Sequence, residues 1–413
     1  MVTLRFLLLY FKLVSHAKRL SAAIGSLFGF SVSAAVRVGR QRTNPNRREK
    51  RVLPSHSGKR IYFVFRGVHF IDFFVPIHQA LDRLYPGRYQ VLYVDYAQTL
   101  KRIRGDREYE RFRAELERRL SAFDISVSRH FCGKEVQAMS GFPQPDMIVT
   151  TEAIRHESFR CEQRVYFPHS CVEKEETIES NIRFNHFFQP SKPPYTYSRL
   201  FEPGGKTFRI HHTGYPKIHL ANKIAKRLFS DDKPVVLFAP SLEIDLLLRY
   251  VERGILSLFA KMFHCNFIVK LHPSLASIRH YILDLFFFKT KGRANIRIDT
   301  GTSLQEIGGN SSLMVTDFGS AGPEYRLSFG RRVIYLQLPE SFVSASDLVF
   351  RDHFGDAVAS VERLGEAIDS TLASGDVGAE EYRAMKSAVL YNPDSGDVAA
   401  AKAIHTILCG RRQ

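Results

Sequence analysis

Tryptophan is absent from this 413-residue chain, cysteine is scarce, and several catalytic signatures are missing. The five cysteines, Cys132, Cys161, Cys171, Cys265 and Cys409, form no CxxC pair. Their odd number and wide spacing argue against a disulfide framework or a cysteine zinc site, and fit a reducing compartment. There is no P-loop lysine motif, no GxGxxG following a strand pattern, no HExxH and no GxSxG. P-loop ATPase, zinc-protease and elbow-nucleophile readings therefore lack support. Acidic residues are also in deficit, at 42 against 59 Lys and Arg, which leaves a formal charge of +17. Such a surface favours anionic partners: nucleic acid, a nucleotide or an acidic membrane leaflet.

The acid deficit is steepest at the start. The first 60 residues hold 13 Lys and Arg and one acid, Glu49. Two apolar stretches, Leu4–Val14 and Ala22–Val36, are each shorter than the roughly 20 residues that span a bilayer. Basic apolar segments in succession fit an interfacial helix better than a signal peptide. Residues 1–57 are therefore expected to be a membrane-associating extension and linker. That predicts a peripheral protein on the cytoplasmic face of the membrane, bound to anionic lipid. An ordinary mobile extension is the bland alternative.

What is present beyond residue 57 is an alternation of short apolar runs with helical intervals. Hydrophobic residues make up 44% of the chain, enough for two cores. Strands are predicted at 59–65, 89–94, 123–127, 147–151 and 164–167, with a helix over 71–84. The Arg- and Glu-dense stretch 101–120 reads as a solvated helix. Residues 190–205, rich in Pro, Tyr, Ser and Gly, read as the inter-domain connection. Further strands are predicted at 235–238, 267–271, 296–298, 313–315 and 333–336, and final helices at 364–374, 380–390 and 397–409. This pattern defines an α/β protein of two facing doubly wound domains, 58–200 and 201–413.

Ligands of open α/β sheets bind beyond the carboxyl ends of the strands. Candidate residues cluster there. Lys270 and His272 end one strand, two residues apart and on one face, where they could grip a phosphate. Asp317 and Ser320 follow another strand. Pro323 then suits the first position of a helix, with Glu324 beside it. A helix start with free N–H groups and a serine is an anion site, or else simply a capped helix. Asp317 suits a supporting role, because it would repel a phosphate, and Glu324 could accept from ribose hydroxyls. His169 follows a strand of the first half and could face His272 across a cleft as a general base. Gly214 and Ser241, in turns after short apolar runs, would allow close ligand approach. No metal cluster is visible and no cofactor is expected.

Taken in order, Gly214-Tyr-Pro216, Ala239-Pro-Ser241, Lys270-Leu-His-Pro273 and Thr316-Asp-Phe-Gly-Ser320 resemble the CDP-glycerol glycerophosphotransferases of teichoic-acid and capsule synthesis. The likeness covers about 209–345. It departs where the family has Trp-His-Gly and a lysine pair, since Pro168-His169-Ser170 and Lys174 stand here, and where Gly319 replaces a serine. The resemblance implies a GT-B fold with the nucleotide donor in the second domain, contacted by His272 and the Asp317–Ser320 loop. It further implies transfer of a polyol phosphate from a CDP-activated donor to a lipid-linked or glycan acceptor, with a nucleotide rather than nucleic acid as the anionic partner. Alternatives are a glycosyltransferase or nucleotide-sugar 2-epimerase on the same fold, or a non-catalytic subunit of a surface-polymer complex.

Overall fold

The computed structural model describes residues 58–410 apart from 66, 96–105, 127–129, 133–142, 152–160, 173–183, 196–207, 222–225, 273–274, 276–279, 340–341 and 343–350. The expected membrane-associating extension, 1–57, lies outside the described residues. Among those described, no helix is long and apolar enough to cross a membrane.

Two parallel sheets form the molecule. The first contains β1 (Lys59–Phe65), β2 (Tyr89–Asp95), β3 (His130–Cys132), β4 (Met147–Thr150), β5 (Gln163–Tyr166), β6 (His186–Gln189) and β7 (Arg209–His212). Its spatial order is β3-β2-β1-β4-β5-β6-β7. The second contains β8 (Val235–Phe238), β9 (Asn266–Lys270), β10 (Ile296–Asp299), β11 (Leu313–Thr316), β12 (Arg332–Leu336) and β13 (Ala357–Ala359), in the order β10-β9-β8-β11-β12-β13. Both are doubly wound, and each reverses direction once, between β1 and β4 and between β8 and β11. That reversal opens a crevice at the carboxyl ends of the strands.

The strands form because they are apolar on both faces, as parallel strands covered by helices must be. Ile61 to Phe65 are fully buried without interruption. In the second sheet the faces separate cleanly. Val236, Phe238, Leu313 and Val315 pack under one helical layer. Leu237, Met314 and Val333 join a core continuous with that of the first domain.

The helices used below are α1 (Ile71–Leu84), α2 (Asp106–Ala122), α3 (Ile244–Glu252), α4 (Ile255–Lys261), α5 (His280–Thr290), α6 (Leu304–Gly308), α7 (Ala321–Phe329), α8 (Leu364–Ala373), α9 (Ala379–Val389) and α10 (Gly396–Cys409). Helix α10 leaves the second domain and packs on α1 of the first. His405 of α10 stacks on Tyr85 at 3.9 Å between ring centroids.

Four expectations change. The strand expected at 123–127 is absent: Phe123 and Asp124 turn back onto the end of α2, and β3 lies further on. Strands β6, β7 and β13 were not anticipated. The domain boundary at 200/201 does not follow the sheets, because β7 pairs with β6 of the first sheet and α10 returns to the first domain. The stretch expected to be a solvated helix does form α2, but Arg119 within it is only 3% exposed. Its guanidinium bonds Asp72 of α1 at 2.6 Å and also Glu306 of α6, in the other domain. Glu306 simultaneously closes a capping box with Ser303 at the start of α6.

The chain passes between domains twice, through 213–221 and 389–396. These passages touch through glycines. A Cβ on Gly214 would lie 2.2 Å from the Tyr391 carbonyl, and one on Gly396 would lie 2.9 Å from the Tyr215 nitrogen. Gly214 also has φ +81°, which side chains rarely adopt.

Candidate active site between the two domains

A cleft of about 310 Å³ opens at the reversal point of the second sheet and faces the first domain. Its lining includes His169, Ser170, Ser241, Glu243, His272 and Ser320. Residues from the ends of β5, β8, β9 and β11 thus converge on one space, as the topology requires.

The Asp317–Ser320 turn is set by hydrogen bonds and one glycine. Asp317 is buried, and its Oδ1 accepts from the N–H groups of Ser241 at 2.8 Å and Phe318 at 2.7 Å. Its Oδ2 accepts from the Ser241 hydroxyl at 3.0 Å. Burial nevertheless outweighs these bonds and pushes the carboxyl up to about 6. Gly319 takes φ +109°, which turns the chain into α7. Ser320 precedes α7 but makes no side-chain cap bond. Ser320 and Ala321, at this helix start, both line the cleft, where the first N–H groups of a helix carry partial positive charge. Gly322 lets α7 close on β12, since a Cβ there would lie 2.3 Å from the Tyr335 hydroxyl.

Two histidines open onto the cleft, each with an exposed part of its surface, and partial dehydration by the protein around them disfavours the charged ring. For His272 that dehydration is the main reason its pKa falls to about 4, with the Lys270 and His169 charges adding to it. His169 is also held below the usual histidine value, first by dehydration and then by Lys217; Glu324 and a backbone hydrogen bond to Thr151 act in the opposite sense. A carbonyl only accepts, so the ring nitrogen facing Thr151 carries the proton. The other nitrogen of the neutral ring then carries the lone pair. Phe70 braces this ring edge-on, with centroids 6.0 Å apart.

The remaining expected residues are placed near the cleft but outside its lining. Lys270 pairs with Asp299 at 3.3 Å and is nearly buried. It acts on His272 through charge. Glu324 is 6% exposed, and its oxygens are engaged by Lys217 at 2.6 Å, Gln305 at 2.8 Å and the Tyr215 hydroxyl at 3.1 Å. It is not open to a ribose. Gly214 is occupied by the inter-domain crossing described above, not by a ligand loop.

Sequence reasoning missed three groups. His69, in the turn after β1, is pushed well below the usual histidine value by burial, then by Lys217, His272, His169 and Lys270. The strand-end logic that selected His169 and His272 would have found it. Lys217 and Tyr215 join the domains beneath the cleft, the Tyr215 hydroxyl also lying 3.1 Å from the His169 carbonyl. Their local sequence carries no signal of this. Among the described residues, no group of three or more His, Cys, Asp or Glu is placed to hold a metal ion.

Two facing doubly wound domains with a cleft at the strand ends define the GT-B fold, and solved structures share it. The chain is similar to the S. aureus MnaA–UDP co-structure, with a TM-score of 0.55 and 13% identity over 84% of this chain and 96% of that one. It is similar to the Methanocaldococcus jannaschii UDP-GlcNAc 2-epimerase in complex with UDP-GlcNAc and UDP, with a TM-score of 0.55 and 13% identity over 85% and 100%. The Neisseria meningitidis UDP-GlcNAc 2-epimerase bound to UDP-GlcNAc gives 0.52 and 13% over 85% and 100%. At these identities the likeness establishes the fold. No protein-family model matches the sequence, and no curated protein matches it.

Proposed function

We propose that the chain is an enzyme acting on a nucleoside-diphosphate-activated substrate. The observation that carries this reading is the convergence on one cleft of an uncapped helix start, with the Ser320 hydroxyl beside it, and a neutral histidine from each domain. The pyrophosphate would sit against the N-terminus of α7, where partial positive charge and N–H donors favour an anion. His169, on the first-domain wall, would be the general base.

A nucleotide sugar is the first reading, because similar structures are complexes with UDP or UDP-GlcNAc. In a transfer, His169 takes the acceptor hydroxyl proton, the oxygen bonds to the anomeric carbon, and the sugar–phosphate bond breaks with the electron pair leaving on the nucleoside diphosphate. In an epimerisation, the nucleotide sugar would return with one inverted centre. The second reading, transfer of a polyol phosphate from a CDP-linked donor, is favoured by the order of the Lys270–Pro273 and Thr316–Ser320 motifs. There the acceptor oxygen attacks the β-phosphorus and CMP departs.

The test is incubation with UDP-GlcNAc, other UDP-sugars, CDP-glycerol and CDP-ribitol, with and without a membrane lipid extract, followed by NMR of the products. Released UDP or an inverted sugar supports the first reading. CMP with a new phosphodiester supports the second. Nucleotide binding without turnover would recast the chain as a binding subunit, and no binding at all would sink the proposal.

A further inference from the structure

The second-domain wall of the cleft has two chemically opposite halves. On the β8 side the hydrogens of the Ala239-Pro240-Ser241 turn are all committed. The Ala239 N–H donates to the Val315 carbonyl at 2.9 Å, and Pro240 has no N–H. The Ser241 N–H and hydroxyl both donate to Asp317, at 2.8 and 3.0 Å. An ionised carboxylate only accepts, so the one hydroxyl proton of Ser241 belongs to Asp317. What Ser241 offers the cleft is the lone-pair side of its oxygen. Glu243, which also lines the cleft, adds a carboxylate. On the α7 side the reverse holds: the Ser320 hydroxyl and the first N–H groups of the helix are donors.

We infer that the Ser241 oxygen, its proton held by Asp317, acts with Glu243 as an acceptor subsite for a hydroxyl-bearing part of the substrate, a sugar or polyol, and that its phosphates are received at Ser320 and α7. The inference rests on the nucleotide-substrate reading of the cleft. A phosphate oxygen has no hydrogen to give Ser241 and is repelled by Glu243, whereas an alcohol donates to both. Asp317 is the positioning residue. It never touches the ligand but fixes which way the Ser241 proton points. Its carboxyl, raised by burial to about 6, is ionised at neutral pH. The neighbouring Tyr250 and Tyr335 phenols are raised chiefly by burial and further by the Asp317 charge, and remain neutral.

Calorimetry at mildly alkaline pH tests this with UDP-GlcNAc, CDP-glycerol, UDP, 2′-deoxy-UDP and inorganic pyrophosphate. Ser241→Ala should weaken the hydroxyl-bearing ligand about tenfold and leave pyrophosphate unchanged. Ser241→Thr, which keeps the hydroxyl, should restore it. Ser320→Ala should weaken pyrophosphate and nucleotide alike. In Asp317→Asn the new amide N–H donates to Ser241 and turns its hydroxyl proton into the cleft. That variant should lose hydroxyl selectivity and bind pyrophosphate as well as or better than the parent, which a merely structural aspartate would not do. A loss with UDP-GlcNAc or CDP-glycerol but not UDP assigns the subsite to the transferred group. A loss with UDP but not 2′-deoxy-UDP assigns it to ribose. If nucleotides bind but Ser241→Ala binds all ligands as the parent does, or loses pyrophosphate as strongly as nucleotide, the subsite is refuted while the nucleotide reading stands. If no nucleotide binds the parent, both fall.

Discussion

The two domains repeat one topology and furnish its reversal point with different chemistry. At the ends of β1 and β5 the first domain presents imidazoles, His69 and His169, in surroundings that keep them neutral. At the ends of β8 and β11 the second domain presents hydroxyls and a helix start, tied together by the buried Asp317. The fold dictates where functional groups gather, and the loop sequences dictate which groups they are. In the proposed reading the first wall serves as base, and nearby Lys217 helps keep its imidazoles neutral; the second wall would receive the anion at the uncapped start of α7.

Removing the base proposed for the first wall should produce the largest effect. His169→Ala is expected to lower kcat on the order of 10²–10⁴-fold, with nucleotide affinity near that of the parent by calorimetry. Equal small losses in His169→Ala and His272→Ala would mean that both rings are structural and that the walls do not differ as described.

Breaking the bond between the walls comes next. Arg119→Ala leaves Asp72 buried without its cation and Glu306 with only the half-exposed Arg118, at 3.2 Å, which should cost about 3–5 kcal/mol. Urea denaturation measures this. A loss near zero would show that the Arg119 cluster adds nothing to the apolar core and the Lys217–Glu324 pair in holding the domains.

Ser320→Ala sharpens the second wall. It should weaken nucleotide binding by about tenfold. Because Ser320 makes no cap bond, stability should change by less than the roughly 1 kcal/mol of a lost cap. A full cap-sized loss in thermal unfolding, without any change in affinity, would reassign the serine to the helix.

The smallest effect expected is in pH dependence. His272 is depressed to about 4, and His169 is depressed as well. The folded state thus favours the neutral rings. Their contribution to stability is present above the usual histidine pKa and is lost as pH falls through the lowered one. Asp317, raised to about 6, has the opposite sign: it favours the folded state at low pH, and that contribution is lost as pH rises through about 6. The His272 ring should therefore still be neutral by NMR at pH values where an ordinary histidine is half protonated. A titration midpoint at the ordinary value would show the cleft to be fully wet.

Much of the architecture was legible because it is locally encoded. The apolar spacing of 71–84 is a helix over those same residues, and the run 235–238 is a strand over the same four. Pairing was not legible. Nothing in Arg209–His212 says that its partner is β6, since order in a sheet is not written in a one-dimensional pattern. Arg119 looked solvated because its neighbours alternate Arg and Glu. Its burial is decided by Asp72, 47 positions away, and Glu306, 187 positions away. The site was half legible for the same reason. Strand ends pointed to His169, Ser241, His272 and Ser320, which meet in the cleft. Gly214, Lys270 and Glu324 sit in equally suggestive turns, yet distant partners occupy them.

The return of α10 to the first domain sets an order of events during synthesis. The first sheet is complete once β7 has been made, at His212. The helix that covers α1 begins only at Gly396. At about 5–20 residues per second the ribosome needs roughly 10–40 s to supply it. For that interval the nascent first domain exposes the apolar surface on which Ala400, Ala401 and Ile404 finally bury themselves. A chain that stops short of Gly396 would keep that surface permanently open and should be a chaperone client rather than a smaller stable protein.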